Sequence, residues 1–106
     1  MIYVIGTETC WRKGSRQPFV KIGVTIDLRK RLAQFQTDNP HELKVHYLFT
    51  GDREREAELH AAFAYWHYRG EWFRTWAGSK AIKPHLDTEW LDYEAESIIE
   101  RRGVLT

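Results

Sequence analysis

The sequence predicts an α+β fold with the element order ββαβαβα. Residues 2–6 and 19–23 are short β-branched and aromatic runs that both close on Gly, the pattern of two strands paired as an antiparallel hairpin. Residues 28–36 and 53–68 follow a capping Asp and hold apolar side chains at helical spacing. The 106 residues make one domain, and the single cysteine, Cys10, excludes a disulfide framework and a thiolate zinc site.

The first strand, residues 2–6, is Ile-Tyr-Val-Ile-Gly, and the second, residues 19–23, is Phe-Val-Lys-Ile-Gly. Residues 7–18 between them, rich in Thr, Gly, Ser, Arg and Lys and ending at Pro18, form a loop long for a hairpin, and long loops commonly carry function. Asp27 is placed to cap the first helix, whose Leu28, Leu32 and Phe35 share a face. Residues 43–49 alternate at first and then turn wholly apolar, as a third strand. Asp52 caps the second helix and Arg69-Gly70 stops it. Glu71-Trp72-Phe73 is a short extended piece closing the core, and residues 77–87, with Gly78 and Pro84, read as irregular. A last, acidic helix is expected over 88–102, with Trp90, Leu91, Ile98 and Ile99 available for packing. The domain reading is a core over residues 1–76 and a C-terminal extension over 77–106 with its helix packed on that core.

No run of about 20 apolar residues is present to span a membrane. The opening Met-Ile-Tyr-Val-Ile-Gly has neither the basic leader nor the cleavage-site residues of a signal peptide, so a cytoplasmic protein is expected. The net charge of +1 hides a division: residues 1–86 carry 14 Lys/Arg against 9 Asp/Glu, and residues 87–106 carry 2 against 6. Within residues 12–31, seven basic residues face Asp27 alone. Such a density is either a solvated surface or the footprint of a phosphate backbone.

Helical phase separates candidate functional side chains from ordinary charges. With Leu28 at zero and about 100° per residue, Arg31 falls near 300°, at the margin of the buried face, while Arg29 and Lys30 point to solvent. An arginine held there suits bidentate phosphate binding, or its stem simply covers the core. With Leu59 at zero, Glu56, His60 and His67 form one stripe at about 60–100°. Glu56 there is a candidate Mg²⁺ ligand with His60 as its acid–base or ligand partner; the bland reading is an i, i+4 contact. Tyr3 and Lys21 hold equivalent places in the two strands. Beside cations, a phenol or amine of lowered pKa could serve as a general base; the alternative is an edge tyrosine in water.

These residues together resemble the GIY-YIG nuclease superfamily. The resemblance rests on Ile2-Tyr3-Val4-Ile5, on Val20-Lys21-Ile22-Gly23 with Lys21 where most members carry Tyr, on the segment from Gly23 to Leu32, and on Glu56-Ala57-Glu58-Leu59. Gln36-Thr37-Asp38-Asn39-Pro40, Leu59-His60 and Gly70-Glu71-Trp72-Phe73 are similar to its phage-type and "meiotically up-regulated" subgroup. The resemblance implies a three-stranded antiparallel sheet flanked by helices. It also implies metal-dependent hydrolysis of DNA phosphodiesters, leaving 5′-phosphate and 3′-hydroxyl ends. The implied roles are Glu56 on Mg²⁺ or Mn²⁺, Arg31 on the phosphoryl oxygens, Tyr3 and Lys21 on the attacking water, and His60 as a second proton-transfer or supporting group. Arg12, Lys13, Arg16, Arg29 and Lys30 would track the DNA backbone, and Glu71 is a reserve metal ligand. The competing expectation is a nucleic-acid-binding module of the same fold without catalysis. An attached targeting domain has no room, so specificity is expected from substrate structure, a homodimer or a separate targeting protein.

Overall fold

In the computed structural model, which describes residues 1–76 and 80–89, the chain builds one five-stranded antiparallel sheet and, among the described residues, three α-helices. The elements are β1 (Ile2–Thr7), β2 (Phe19–Val24), α1 (Leu28–Thr37), β3 (Leu43–Phe49), α2 (Arg53–Ala62), β4 (His67–Arg69), β5 (Trp72–Arg74) and α3 (Ile82–Glu89). The sheet order is β3-β1-β2-β5-β4. The three-strand expectation therefore holds only for the β3-β1-β2 half. The difference arises after Ala62, where the α-helix gives way to a 3-10 turn at Ala64–Trp66 and then to β4. The expected helix over 53–68 ends early because Gly70, at a φ of 55°, makes the tight turn that folds β4 back on β5.

The sheet carries helices on both faces. Tyr3 and Ile5 of β1 with Leu43, Val45 and Leu48 of β3 receive Leu28 and Leu32 of α1. On the other face, Ile2, Val4, Val20, Ile22 and Phe73 pack with Leu59 of α2 and Ile82 and Leu86 of α3. Two tightly packed layers follow from the strict alternation of β1, whose residues Ile2, Tyr3, Val4 and Ile5 are all fully buried. Strand β3 keeps its apolar residues inside on both faces through a bulge. Val4 pairs with Tyr47 but Ile5 with Val45, so His46 is the extra residue and the strand changes phase there.

Both long helices start on the expected caps. Asp27 Oδ1 accepts from Lys30 N at 3.1 Å, and Asp52 Oδ1 accepts from Glu54 N and Arg55 N, each at 3.1 Å. Residues 82–87, expected to be irregular with Pro84 among them, are helical instead and run on into Thr88 and Glu89, the first residues of the expected last helix. Pro84 is the third residue of α3, where its missing N–H belongs to the first turn and has no partner within the helix anyway. The rest of the expected acidic helix, with Trp90, Leu91, Ile98 and Ile99, lies outside the described residues.

The long β1–β2 loop is pinned rather than free. Cys10 is fully buried, and its carbonyl accepts from the buried Thr75 hydroxyl. The bulged His46 reaches Thr7 O at 2.8 Å and Cys10 Sγ at 3.4 Å. Burial pushes the Cys10 thiol up to about 12 and holds His46 below its ordinary value, so both are neutral at pH 7. We expect Cys10 to resist iodoacetamide at pH 8 in the native protein and to react as it unfolds. Mass spectrometry across a urea series checks this, and rapid native labelling would show that the loop is not pinned.

Candidate active site

The candidate site forms where β2 outruns β5. The two strands pair only over Phe19↔Arg74, Val20↔Phe73 and Lys21↔Trp72. Ile22 N then donates to Glu71 O at 3.0 Å, and the Ile22 carbonyl accepts from His60 Nε2 of α2 at 2.8 Å. This contact fixes the His60 tautomer with the proton on Nε2. Edge-on packing against Phe73, with ring centroids 4.9 Å apart, holds the imidazole in place.

On the α1 side of the sheet the register puts Tyr3 opposite Gly23 and Ile5 opposite Lys21, so Tyr3 and Lys21 share a face. The fully buried Tyr3 ring sends its hydroxyl to Glu71 Oε2 at 3.1 Å, with the Arg31 side chain close enough to act on the phenol. A Cβ at Gly23 would overlap both the Glu71 carboxylate and the Tyr3 hydroxyl, so glycine is what lets these two groups meet over β2. Lys21 Nζ lies 3.9 Å from the centre of the Phe35 ring and 5.5 Å from that of Trp72. The Arg31 guanidinium lies 5.4 Å from the same Phe35 ring. One half-buried phenyl ring thus carries two cations.

Burial, reinforced by Glu71, raises the Tyr3 phenol well above its ordinary value even though Arg31 opposes the shift. The phenol therefore stays protonated and does not fit the role of a general base. The Lys21 amine shifts in the useful direction. Burial first, then the Arg31 charge, lower its pKa, while Glu71 works against them. Arg31 is raised by the Tyr3 hydroxyl and by the carboxylates Glu71 and Glu56. Its Nε is buried and has no hydrogen-bond partner among the described residues. A buried guanidinium N–H left open in this way calls for an acceptor, and an anionic one fits best.

The structure thus brings Tyr3, Lys21, Arg31 and Glu71 together, with Glu56 near enough to act on Arg31 and His60 on the adjoining backbone. His67 leaves the expected stripe, since it belongs to β4 and its Nε2 meets Gly70 O at 2.8 Å. Lys30 lines a cleft of about 340 Å³ with Arg31 and the fully exposed Ile26, while Arg29 points to solvent. Arg12, Lys13 and Arg16 line a separate cleft of about 520 Å³ at the far end of the β1–β2 hairpin. Four residues of strand, roughly 13 Å, separate that end from Tyr3. The sequence reading missed Phe35 and Trp72 as the platform for Lys21. The Arg31–Phe35 spacing of i, i+4 signalled half of it. The Trp72 half depends on strand pairing, which no local pattern shows.

The model of the T5orf172 domain matches residues 1–103. This chain belongs to the T5orf172 domain family. No curated protein and no solved structure gave a match. The assignment corrects the resemblance to the GIY-YIG superfamily and its phage-type subgroup: T5orf172 is a different family, although both occur in phage and mobile-element proteins. The physical reason lies in what the shared motifs encode. Two strands ending in Gly, a capped helix with one inward arginine and a Glu-x-x-Leu helix are local solutions open to more than one family. The T5orf172 match also runs through the stretch read as an appended extension.

Replacing Gly23 with Ala is expected to leave a folded protein that has lost the Tyr3–Glu71 contact. The added methyl overlaps the Tyr3 ring as well as the Glu71 carboxylate, so both must shift, and the loss is expected to exceed the roughly 1–3 kcal/mol of a single broken buried hydrogen bond. Urea denaturation of Gly23→Ala against the parent checks this, and an unchanged midpoint would show that the crowding is not real.

Proposed function

We propose that this T5orf172 domain hydrolyses DNA phosphodiester bonds as a metal-assisted endonuclease, leaving 5′-phosphate and 3′-hydroxyl ends. The observation that carries the reading is the open, buried Nε of Arg31 beside a protonated phenol, a lysine of lowered pKa and two carboxylates. The family's association with nuclease-like and DNA-binding functions supports it.

Arg31 receives the scissile phosphate and offsets the charge that builds on its oxygens. Tyr3 donates its hydroxyl proton to hold that arrangement in register. Lys21, in its deprotonated form, accepts a proton from water as the water oxygen attacks phosphorus and the P–O3′ bond breaks, the departing O3′ taking its proton from solvent. His60, bonded to Ile22, is a positioning residue that ties α2, and with it Glu56, to β2. Glu56, with Glu71 in reserve, offers the carboxylate oxygens that Mg²⁺ or Mn²⁺ prefers. Among the described residues no group of three His, Cys, Asp or Glu assembles, so an ion here would be held by one or two carboxylates, with water and phosphate completing its shell. Such an ion, when bound, would stabilise the leaving oxygen. A second reading, DNA binding without cleavage, is favoured by the engagement of His60 with a backbone carbonyl.

Plasmid nicking with Mg²⁺ or Mn²⁺ decides between them. Arg31→Ala is expected to lower the rate by about 10²–10³, and Glu56→Ala to abolish it. Cleavage that survives Glu56→Ala would sink the metal assignment, and retarded but intact DNA at every metal would favour the binding module.

The rate should also rise with pH over a limb lying below the ordinary lysine value of 10.5, because the amine acts when deprotonated. Lys21→Arg, which keeps the charge at all accessible pH, should remove that limb. An unchanged profile in Lys21→Arg would exclude the lysine as base. Stability has the same sign. Between the folded and unfolded values the unfolded chain binds more protons, so stability from this group rises with pH across that window.

A further inference from the structure

Beyond β2, the α1 side of the sheet has no helix over it among the described residues: Leu28 and Leu32 of α1 pack against β1 and β3. The open part forms a groove of about 300 Å³ lined by Gln17, Phe19, Asn39, Tyr68, Arg69 and Trp72. Phe19 and Tyr68 meet with centroids 4.9 Å apart at 38°, and the Arg74 guanidinium lies 5.1 Å from the centre of the Tyr68 ring. Tyr68 is half exposed. Among the described residues no carboxylate lines the groove, and the charge they bring is that of Arg69 with Arg74 alongside. One end reaches the catalytic cluster, because Trp72 is a ring over which Lys21 sits. At another, Gln17 also lines the cleft of Arg12, Lys13 and Arg16.

We infer that this groove seats an unstacked base of single-stranded DNA and leads that strand into the Arg31–Lys21 cluster. Three features of the lining point to this occupant. Aromatic faces interleaved with arginines are what a strand of bases and phosphates binds. A paired duplex keeps its base faces stacked inside and would use the arginines but not the rings. The side-chain amides of Gln17 and Asn39 supply donors and acceptors for a base edge, and the basic cleft beyond Gln17 continues the path with phosphate contacts. The inference rests on the nucleic-acid reading above and names its substrate as single-stranded or locally unpaired.

The test uses the full chain in EDTA, so that binding is read without cleavage. Fluorescence anisotropy compares a labelled single strand of about 15 nucleotides, near the size such sites cover, with a blunt duplex of the same sequence. The single strand is expected to bind more tightly. Tyr68→Ala should cut the ratio of single-strand to duplex affinity roughly tenfold, the loss typical of one stacked base, and Tyr68→Phe should restore it. Equal or tighter duplex binding, or a ratio unmoved by Tyr68→Ala, overturns the groove. Plasmid nicking is scored separately: a Tyr68-dependent single-strand preference without nicking keeps the groove and defeats the endonuclease reading. Nicking with no such preference does the reverse.

Discussion

A backbone group taken out of water must find a partner, and at Ile22 that requirement organises the molecule. Strand β2 pairs with β1 through Val24, yet β5 accompanies it only as far as Lys21. Beyond that point Ile22 is served by Glu71 O on one side and His60 on the other. The first brings a carboxylate over β2 and the second draws α2 against the strand end. Because β5 stops there, α1 on one face and α2 on the other can both bear on the same spot. A β5 two residues longer would occupy the place now held by His60.

The electrostatics of the cluster follow from that crowding. Lys21 and Arg31 share the Phe35 ring, and each disfavours the other's charge. Glu71 offsets part of this, but it also faces Tyr3 and helps keep the phenol protonated. The outcome divides two groups that look alike as base candidates in sequence: the amine is made easier to discharge and the phenol harder.

Much of the fold was legible because its signals are local. The capping Asp residues, the β1 and β2 runs and the α1 apolar spacing each depend on a few neighbouring residues, and all appear where expected. The missed features depend on distant ones. Strand β4 is hidden in a helix-like run because His67–Arg69 becomes a strand only when β5 lies beside it. The phase change in β3 looks like untidy alternation until the bulge at His46 explains why Val45 and Tyr47 face opposite ways. In the site, Arg31 and Glu56 could be selected from helical phase, whereas Gly23 and Trp72 acquire meaning only through cross-strand register. The family resemblance went astray for the same reason, since it was built from short motifs that local physics favours in many folds.

Both outer strands of the described sheet are irregular. Strand β3 is bulged at His46, and β4, only three residues long, shifts register between His67 and Arg69. Each also places a cation in its run, Lys44 and Arg69. Irregular, charged margins are poor templates for a further strand, so this sheet resists growing edge to edge into dimers or fibrils. Another protein that engages this domain through the sheet would therefore have to recognise side chains on its faces rather than open backbone along its margins.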